Sequence, residues 1–127
     1  MRYLGIDYGE KRIGLALSDE AGKMAFPKEV LENGPKAIGQ IGQMVKEESV
    51  GGIIVGESVN SSGRPNYIMK AIEEFAEKAR AELCLPVNMQ KEFFTTVEAR
   101  RLAGSESPAD ANAAALILQR YLDKINK

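Results

Sequence analysis

Asp7 is the residue of this chain whose setting most suggests chemistry. It closes the short apolar run Tyr3-Leu4-Gly5-Ile6 and stands two residues before Gly9. A carboxylate at the C-terminal end of a strand projects beyond the sheet, and a glycine after it lets another backbone or a phosphate come close. The chain has no histidine and one cysteine, Cys84. Those counts exclude a Ser-His-Asp triad, a Cys-His pair, a histidine-ligated zinc and any intramolecular disulfide. Chemistry here has to run on carboxylates, lysines, hydroxyls or hard metal ions, and carboxylates suit such ions because they prefer oxygen ligands. The bland reading of Asp7 is a turn-forming aspartate, common wherever D-x-G occurs.

Basic residues supply the other half of a phosphate-handling site. Lys11 and Arg12 fall in the turn beside Asp7, while Arg64, Lys70, Lys91, Arg100 and Arg101 lie further along. Such side chains can hold a phosphate backbone without reading bases. Most of them also fit an ordinary charged surface interleaved with acids. The net charge of −1 argues against sequence-independent nucleic-acid binding by the whole surface, and leaves room for a local basic patch.

The elements that must position these residues can be read from periodicity. A length of 127 residues, 44% of them hydrophobic and 28% charged, is one soluble domain with a real core, spanning 1–127. No apolar run is long enough for a bilayer and no signal peptide is visible, so cytoplasm is the expected compartment and no membrane partner is expected. Residues 3–6, 13–18 and 24–31 read as three strands, with Asp19-Glu20-Ala21-Gly22 as a hairpin turn. Those strands should form an antiparallel meander. Ile38, Ile41, Met44 and Val45 then recur at helical spacing. Gly52-Ile53-Ile54-Val55-Gly56 suits a buried central strand.

Pro65 is expected to open a second helix, with Ile68, Ile72, Phe75, Ala76, Ala79 and Leu83 on one face. Residues 85–89 read as a fifth strand. Thr95 to Glu98 has capping-box spacing for a short helix ending near Gly104. Ser107-Pro108 is expected to start the last helix, whose buried stripe would be Ala111, Ala114, Ala115, Leu118, Tyr121, Leu122 and Ile125. The order β-β-β-α-β-α-β-α-α predicts an α/β fold: a five-stranded mixed sheet, three strands antiparallel and two parallel, flanked by helices.

Two activity classes place D-x-G after a first strand. One is the metal-dependent nuclease; the other is the phosphate-binding hairpin of the actin, sugar-kinase and Hsp70 ATPases. Length counts against the second, which clamps its nucleotide between two related domains.

The longer run Asp7-Tyr8-Gly9-Glu10-Lys11-Arg12-Ile13-Gly14-Leu15-Ala16 is far more specific than D-x-G, and it resembles the opening signature of the YqgF/RuvX family. Those RNase H-like proteins are described as Holliday junction resolvases or as nucleases that process the 5′ end of pre-16S rRNA. Ile53-Ile54-Val55-Gly56 with Asn60-Ser61-Ser62-Gly63 is similar to the family's I-V-G-x-P-x-N-x-x-G segment. Glu92-Phe93-Phe94-Thr95-Thr96-Val97-Glu98-Ala99 is similar to D-E-R-x-[ST]-T-x-x-A, and Asp110-Ala111-Asn112-Ala113-Ala114 to D-S-x-A-A.

The resemblance implies an RNase H-like nuclease domain with Asp7, Glu92 and Asp110 as catalytic, metal-binding acids holding Mg2+ or Mn2+. It implies a nucleic-acid partner, either a ribosomal RNA precursor or branched DNA, with the ribosome as a further partner and a monomer or homodimer as the unit. Lys11, Arg12, Arg64, Lys91 and Arg100 would contact nucleic acid, and Gly9, Gly14 and Gly56 would serve as structural turn residues.

Several positions depart from the family pattern. Lys91 and Phe93 flank Glu92 where an acid and an arginine are usual, Pro108 stands in place of a lysine, and Ala111 in place of a serine. Gly56-Glu57-Ser58-Val59 replaces G-L-P-L, and Glu57 lies where other RNase H-like resolvases carry a catalytic glutamate, so it is a further candidate metal ligand. These changes keep a second reading in view, a nucleic-acid- or ribosome-binding protein of the same fold with a weakened site. As local structure, Asp110 can also be explained as an acid in the first turn of a helix, and Glu92 as solvated surface.

Overall fold

The computed structural model describes residues 1–57, 68–91 and 110–127. In chain order these form β1 (Arg2–Tyr8), β2 (Arg12–Ser18), β3 (Ala25–Glu32), α1 (Ala37–Glu47), β4 (Val50–Glu57), α2 (Met69–Leu83), β5 (Val87–Lys91) and α3 (Ala111–Ile125). The short helix expected from Thr95 lies outside the described residues, as does Pro65. The described part of α2 begins at Met69.

One sheet joins all five strands in the order β3-β2-β1-β4-β5. β1 pairs antiparallel with β2, and β2 with β3; β1 pairs parallel with β4, and β4 with β5. The expected α/β architecture is therefore present. Alternation along each strand sorts side chains between two layers. Leu4 and Ile6 of β1, Ile13 and Leu15 of β2, and Ile53 and Val55 of β4 face α1 and α2 in the larger core. Ala16 of β2 and Ile54 of β4 face the other way, onto Ala114, Ile117, Leu118 and Leu122 of α3. Each fully buried Ile or Leu in these layers contributes about 2 kcal/mol. A strand covered on both faces reads as a continuous apolar run, which is why β4 is so plain in the sequence.

The edges differ from the centre. β3 is exposed along most of its length, and its pairing with β2 shifts register beside Lys28, next to Pro27. A proline and a bulge on an edge strand both discourage pairing with another chain. β5 runs two residues later than expected: Leu85 and Pro86 precede it, and Gln90 and Lys91 belong to it. Pro86 has no N–H to donate, yet its carbonyl accepts from Ile53 N at 3.0 Å and leads the chain into register.

The last helix also departs from expectation. Its N-cap is Asp110, with extended backbone (φ −142°, ψ 166°), rather than Ser107. The buried stripe is Ala113, Ala114, Ile117, Leu118 and Leu122; Ile125 is exposed. Ala114, Leu118 and Leu122 of the expected stripe are in it, Ala115 and Tyr121 flank it partly buried, and Ala113 and Ile117 complete it. The helix lies close to the sheet because β1 and β2 carry glycines beneath it. A Cβ on Gly5 would stand 2.7 Å from Leu118 Cβ and 2.9 Å from the Ala114 carbonyl oxygen.

The far end of α3 is tied to the β2–β3 turn. Gln119 Oε1 accepts from Ala25 N at 2.8 Å, its Nε2 donates to the Lys23 carbonyl at 2.9 Å, and Asn126 Nδ2 donates to the Gly22 carbonyl at 2.8 Å. Among the described residues no helix is long and apolar enough to cross a membrane.

Candidate active site

Asp7 is the next-to-last residue of β1, and its burial is unusual for an acid, at 2% exposure. Its parity along β1 matches Gly5, so it stands on the α3 face of the sheet. There Oδ2 accepts a hydrogen bond from the backbone N–H of Asp110 at 3.1 Å. The two acids are 103 positions apart in sequence.

Gly14 makes that contact sterically feasible. It pairs with Asp7 in the β1–β2 ladder, and a Cβ on it would fall 2.1 Å from the carbonyl oxygen of Asp110. The backbone entering α3 therefore rests directly on β2, beside Asp7. Gly14 is not the turn residue that the family resemblance implies: it lies inside β2, and its role is to leave room for a second chain segment. Gly56 likewise lies inside β4 rather than in a turn. Gly9 does begin the β1–β2 turn, with its N–H donating to the Arg12 carbonyl at 2.9 Å.

Asp110 does two things at once. Its Oδ1 accepts from Ala113 N at 2.6 Å, which caps the helix, while its own N–H holds Asp7. The N-terminus of α3 thus points its unpaired amides and positive dipole end at both carboxylates. Two adjacent carboxylates rich in oxygen donors suit a hard divalent cation. Among the described residues no group of three or more His, Cys, Asp or Glu comes together to hold a metal. Glu92 lies outside the described residues, as do Arg64, Arg100 and Arg101.

The remaining candidates are dispersed. Glu57 is the last residue of β4 and half-buried, paired in register with Lys91, which is exposed at the end of β5. Strand parity groups Glu57 with Ile53 and Val55, on the α1/α2 face, opposite to Asp7. Lys11 and Arg12 are exposed at and beside the tip of the β1–β2 turn.

One residue that holds this turn is absent from the sequence-based candidates. Asn33, just after β3, donates from Nδ2 to the Gly9 carbonyl at 2.8 Å and from its backbone N–H to the Lys11 carbonyl at 2.9 Å. The available signal is Asn33-Gly34-Pro35, a run of turn formers at a strand end.

A mixed sheet of order 3-2-1-4-5, with an aspartate on its central strand held by the N-cap amide of a helix packed across it, defines an RNase H-like fold. Solved structures agree. Thermus thermophilus RuvC, in complex with a Holliday junction substrate, superposes with a TM-score of 0.62 at 19% identity, covering 99% of this chain and 96% of that one. In sequence, the family described as "RuvX: Holliday junction resolvase" matches residues 1–124, and the chain belongs to that family. A protein of Bordetella petrii named "Putative pre-16S rRNA nuclease" is 35% identical over 124 residues, covering 96% of this chain and 95% of the relative. A protein of the same name from Dictyoglomus turgidum is 36% identical over 136 residues, covering 99% and 96%.

Proposed function

We propose that this protein is a divalent-metal-dependent endonuclease that cleaves phosphodiester bonds in structured nucleic acid, with a ribosomal RNA precursor as its substrate in the cytoplasm. The observation that carries this reading is the Asp7–Asp110 contact, two acids from opposite ends of the chain brought together by a bare glycine. The names of the sequence relatives point to pre-16S rRNA.

In this reading Asp7, Asp110 and Glu92 hold the metal, and Mg2+ or Mn2+ when bound supplies an activated water and charge stabilisation at the leaving oxygen. The buried Asp7 and the capped Asp110 are positioned before substrate arrives, so little reorganisation is required of them. Lys11 and Arg12 bind phosphates flanking the cleaved bond, on a turn that Asn33 keeps in place. Glu57, directed to the other face, has a weaker claim as a ligand.

A second reading, resolution of a four-way DNA junction, is favoured by the description of the family. Cutting two strands requires two sites acting together, hence a dimer.

One experiment addresses both readings. A ribosomal precursor fragment and a four-way junction are incubated side by side with wild type and Asp7→Asn, in Mg2+ and in Mn2+. Metal-dependent cleavage of the precursor, lowered at least about 100-fold in the variant, is expected, beyond the loss typical of residues behind the metal ligands. Equal cleavage by the two proteins removes the mechanism. Binding without cleavage in either metal would instead identify a nucleic-acid- or ribosome-binding protein.

A further inference from the structure

Gln90 is, with Asp7 and Ser18, one of three buried polar or charged side chains among the described residues, at 7% exposure. Its Nε2 donates to the Lys91 carbonyl at 3.2 Å, and its Oε1 has no hydrogen-bond partner although it is buried. A carbonyl oxygen shut away from water without a donor costs free energy, so an orphan of this kind calls for an explanation.

Its place in the sheet supplies one. Val87 and Met89 face the α1/α2 core, so Gln90 stands on the opposite face, the one that carries Asp7. Gln90 is paired with Gly56 on β4, and one step beyond the Ile6–Val55 pair Asp7 flanks that same Gly56 from β1. Asp7, Gly56 and Gln90 therefore form one row across three strands, and the middle residue has no side chain. Two strand spacings put the outer Cα atoms about 10 Å apart. An aspartate and a glutamine side chain are long enough to close most of that span over the glycine once each turns from its present partner, the Asp110 N–H or the Lys91 carbonyl. What remains is on the order of 4 Å, the separation of two oxygens that share one small divalent ion.

We infer that Gln90 is a further member of the metal site, its amide oxygen facing the cation or one of its waters across Gly56. The inference rests on the metal-binding reading of Asp7 given above. A neutral oxygen donor adds no charge to a site that already holds two carboxylates, and amide oxygens belong to the hard ligand set.

The test is Mn2+ binding by calorimetry to the full chain, with thermal unfolding of the metal-free protein alongside. Gln90→Met should weaken Mn2+ about tenfold, in the range typical of residues tuning a metal site, with an unfolding midpoint equal to or above wild type because the orphan oxygen is gone. Gln90→Glu should tighten Mn2+ binding and lower the metal-free midpoint. Asp7→Asn should abolish binding. If Asp7→Asn loses Mn2+ while Gln90→Met and Gln90→Glu bind within about twofold of wild type, well short of the expected tenfold change, the Gln90 inference fails and the Asp7 reading stands. If Asp7→Asn binds normally, the metal reading itself fails and takes the Gln90 inference with it. Should Gln90→Met not fold, Gln90→Glu decides alone: unchanged affinity overturns the inference.

Discussion

The backbone N–H of Asp110 donates to the carboxylate of Asp7 at 3.1 Å while the Asp110 side chain caps its own helix at Ala113 N. The acid at the start of α3 is therefore a structural part as well as the metal ligand proposed above, and substitutions can separate the two roles. Asp110→Ser keeps an N-cap oxygen and removes the charge, so stability should stay within a few tenths of a kcal/mol; Asp110→Ala removes the cap as well and should lose about 1 kcal/mol. Both variants should lose metal-dependent cleavage to a similar degree. Urea denaturation and a cleavage assay read the two effects independently. If Asp110→Ser cleaves like wild type, Asp110 is a helix cap only.

Gly14 should tolerate no side chain. A Cβ 2.1 Å from the Asp110 carbonyl oxygen meets backbone rather than a movable side-chain tip. Gly14→Ala must push the start of α3 off the sheet, at a cost of about 3 kcal/mol or more. Gly5→Ala is the control, since its added Cβ meets Leu118 and Ala114 in the middle of the same helix. Both variants should be destabilised, but Gly14→Ala should lose more Mn2+ affinity at matched stability because it moves Asp110 relative to Asp7. Equal Mn2+ affinity in the two would count against this geometry.

The strands and their parallel or antiparallel sense are legible in the sequence because a strand buried on both faces, such as residues 53–55, has a plain apolar signature; the shorter β5 lacks it and lies two residues later than expected. Asp7 is legible through the long run from Asp7 to Ala16, since D-x-G by itself is equally a turn aspartate. The Asp7–Asp110 partnership is visible only through a resemblance of motifs. It depends on what Gly14 lacks, and periodicity does not record a missing Cβ. The start of α3 differs from expectation because Ser107-Pro108 and Asp110 are both good helix openers by local propensity. Tertiary contact with β2 favours the second. Gln90 carries no signal at all, since a glutamine at the end of a short strand reads as surface until its neighbours are known.

The β2–β3 turn should make stability fall at acid pH through Asp19. Hydrogen bonds from the backbone N–H groups of Lys23, first, and Met24 hold this carboxyl below its ordinary value. A group whose folded-state value is depressed stabilises the fold above its unfolded value, about 3.9 for aspartate, and that contribution disappears as pH falls through the folded value. Thermal unfolding of wild type and Asp19→Ala between about pH 7 and pH 3 reads this directly. The wild type should melt higher at neutral pH, and the gap should narrow below about pH 4. A gap that stays constant with pH would show that the charge on Asp19 is immaterial to the turn.

On the proposal that Lys11 and Arg12 hold phosphate, Asn33 and these two cations should make distinct contributions to substrate binding, one of position and one of charge. Asn33→Ala removes the bond to the Gly9 carbonyl and leaves the backbone bond to Lys11, so it should cost about 1 kcal/mol of stability. The turn then holds its two cations less firmly, which should raise KM several-fold with a smaller change in kcat, as loss of uniform binding does. Its salt dependence should match wild type, because every positive charge is still present. Lys11→Gln with Arg12→Gln should instead flatten the plot of log affinity against log salt by about one to two, since each phosphate left without its cation keeps its own counterion. Binding of a ribosomal precursor fragment at several salt concentrations checks both expectations. If the double variant keeps the wild-type slope, these two residues do not touch phosphate and the basic contacts lie elsewhere on the chain.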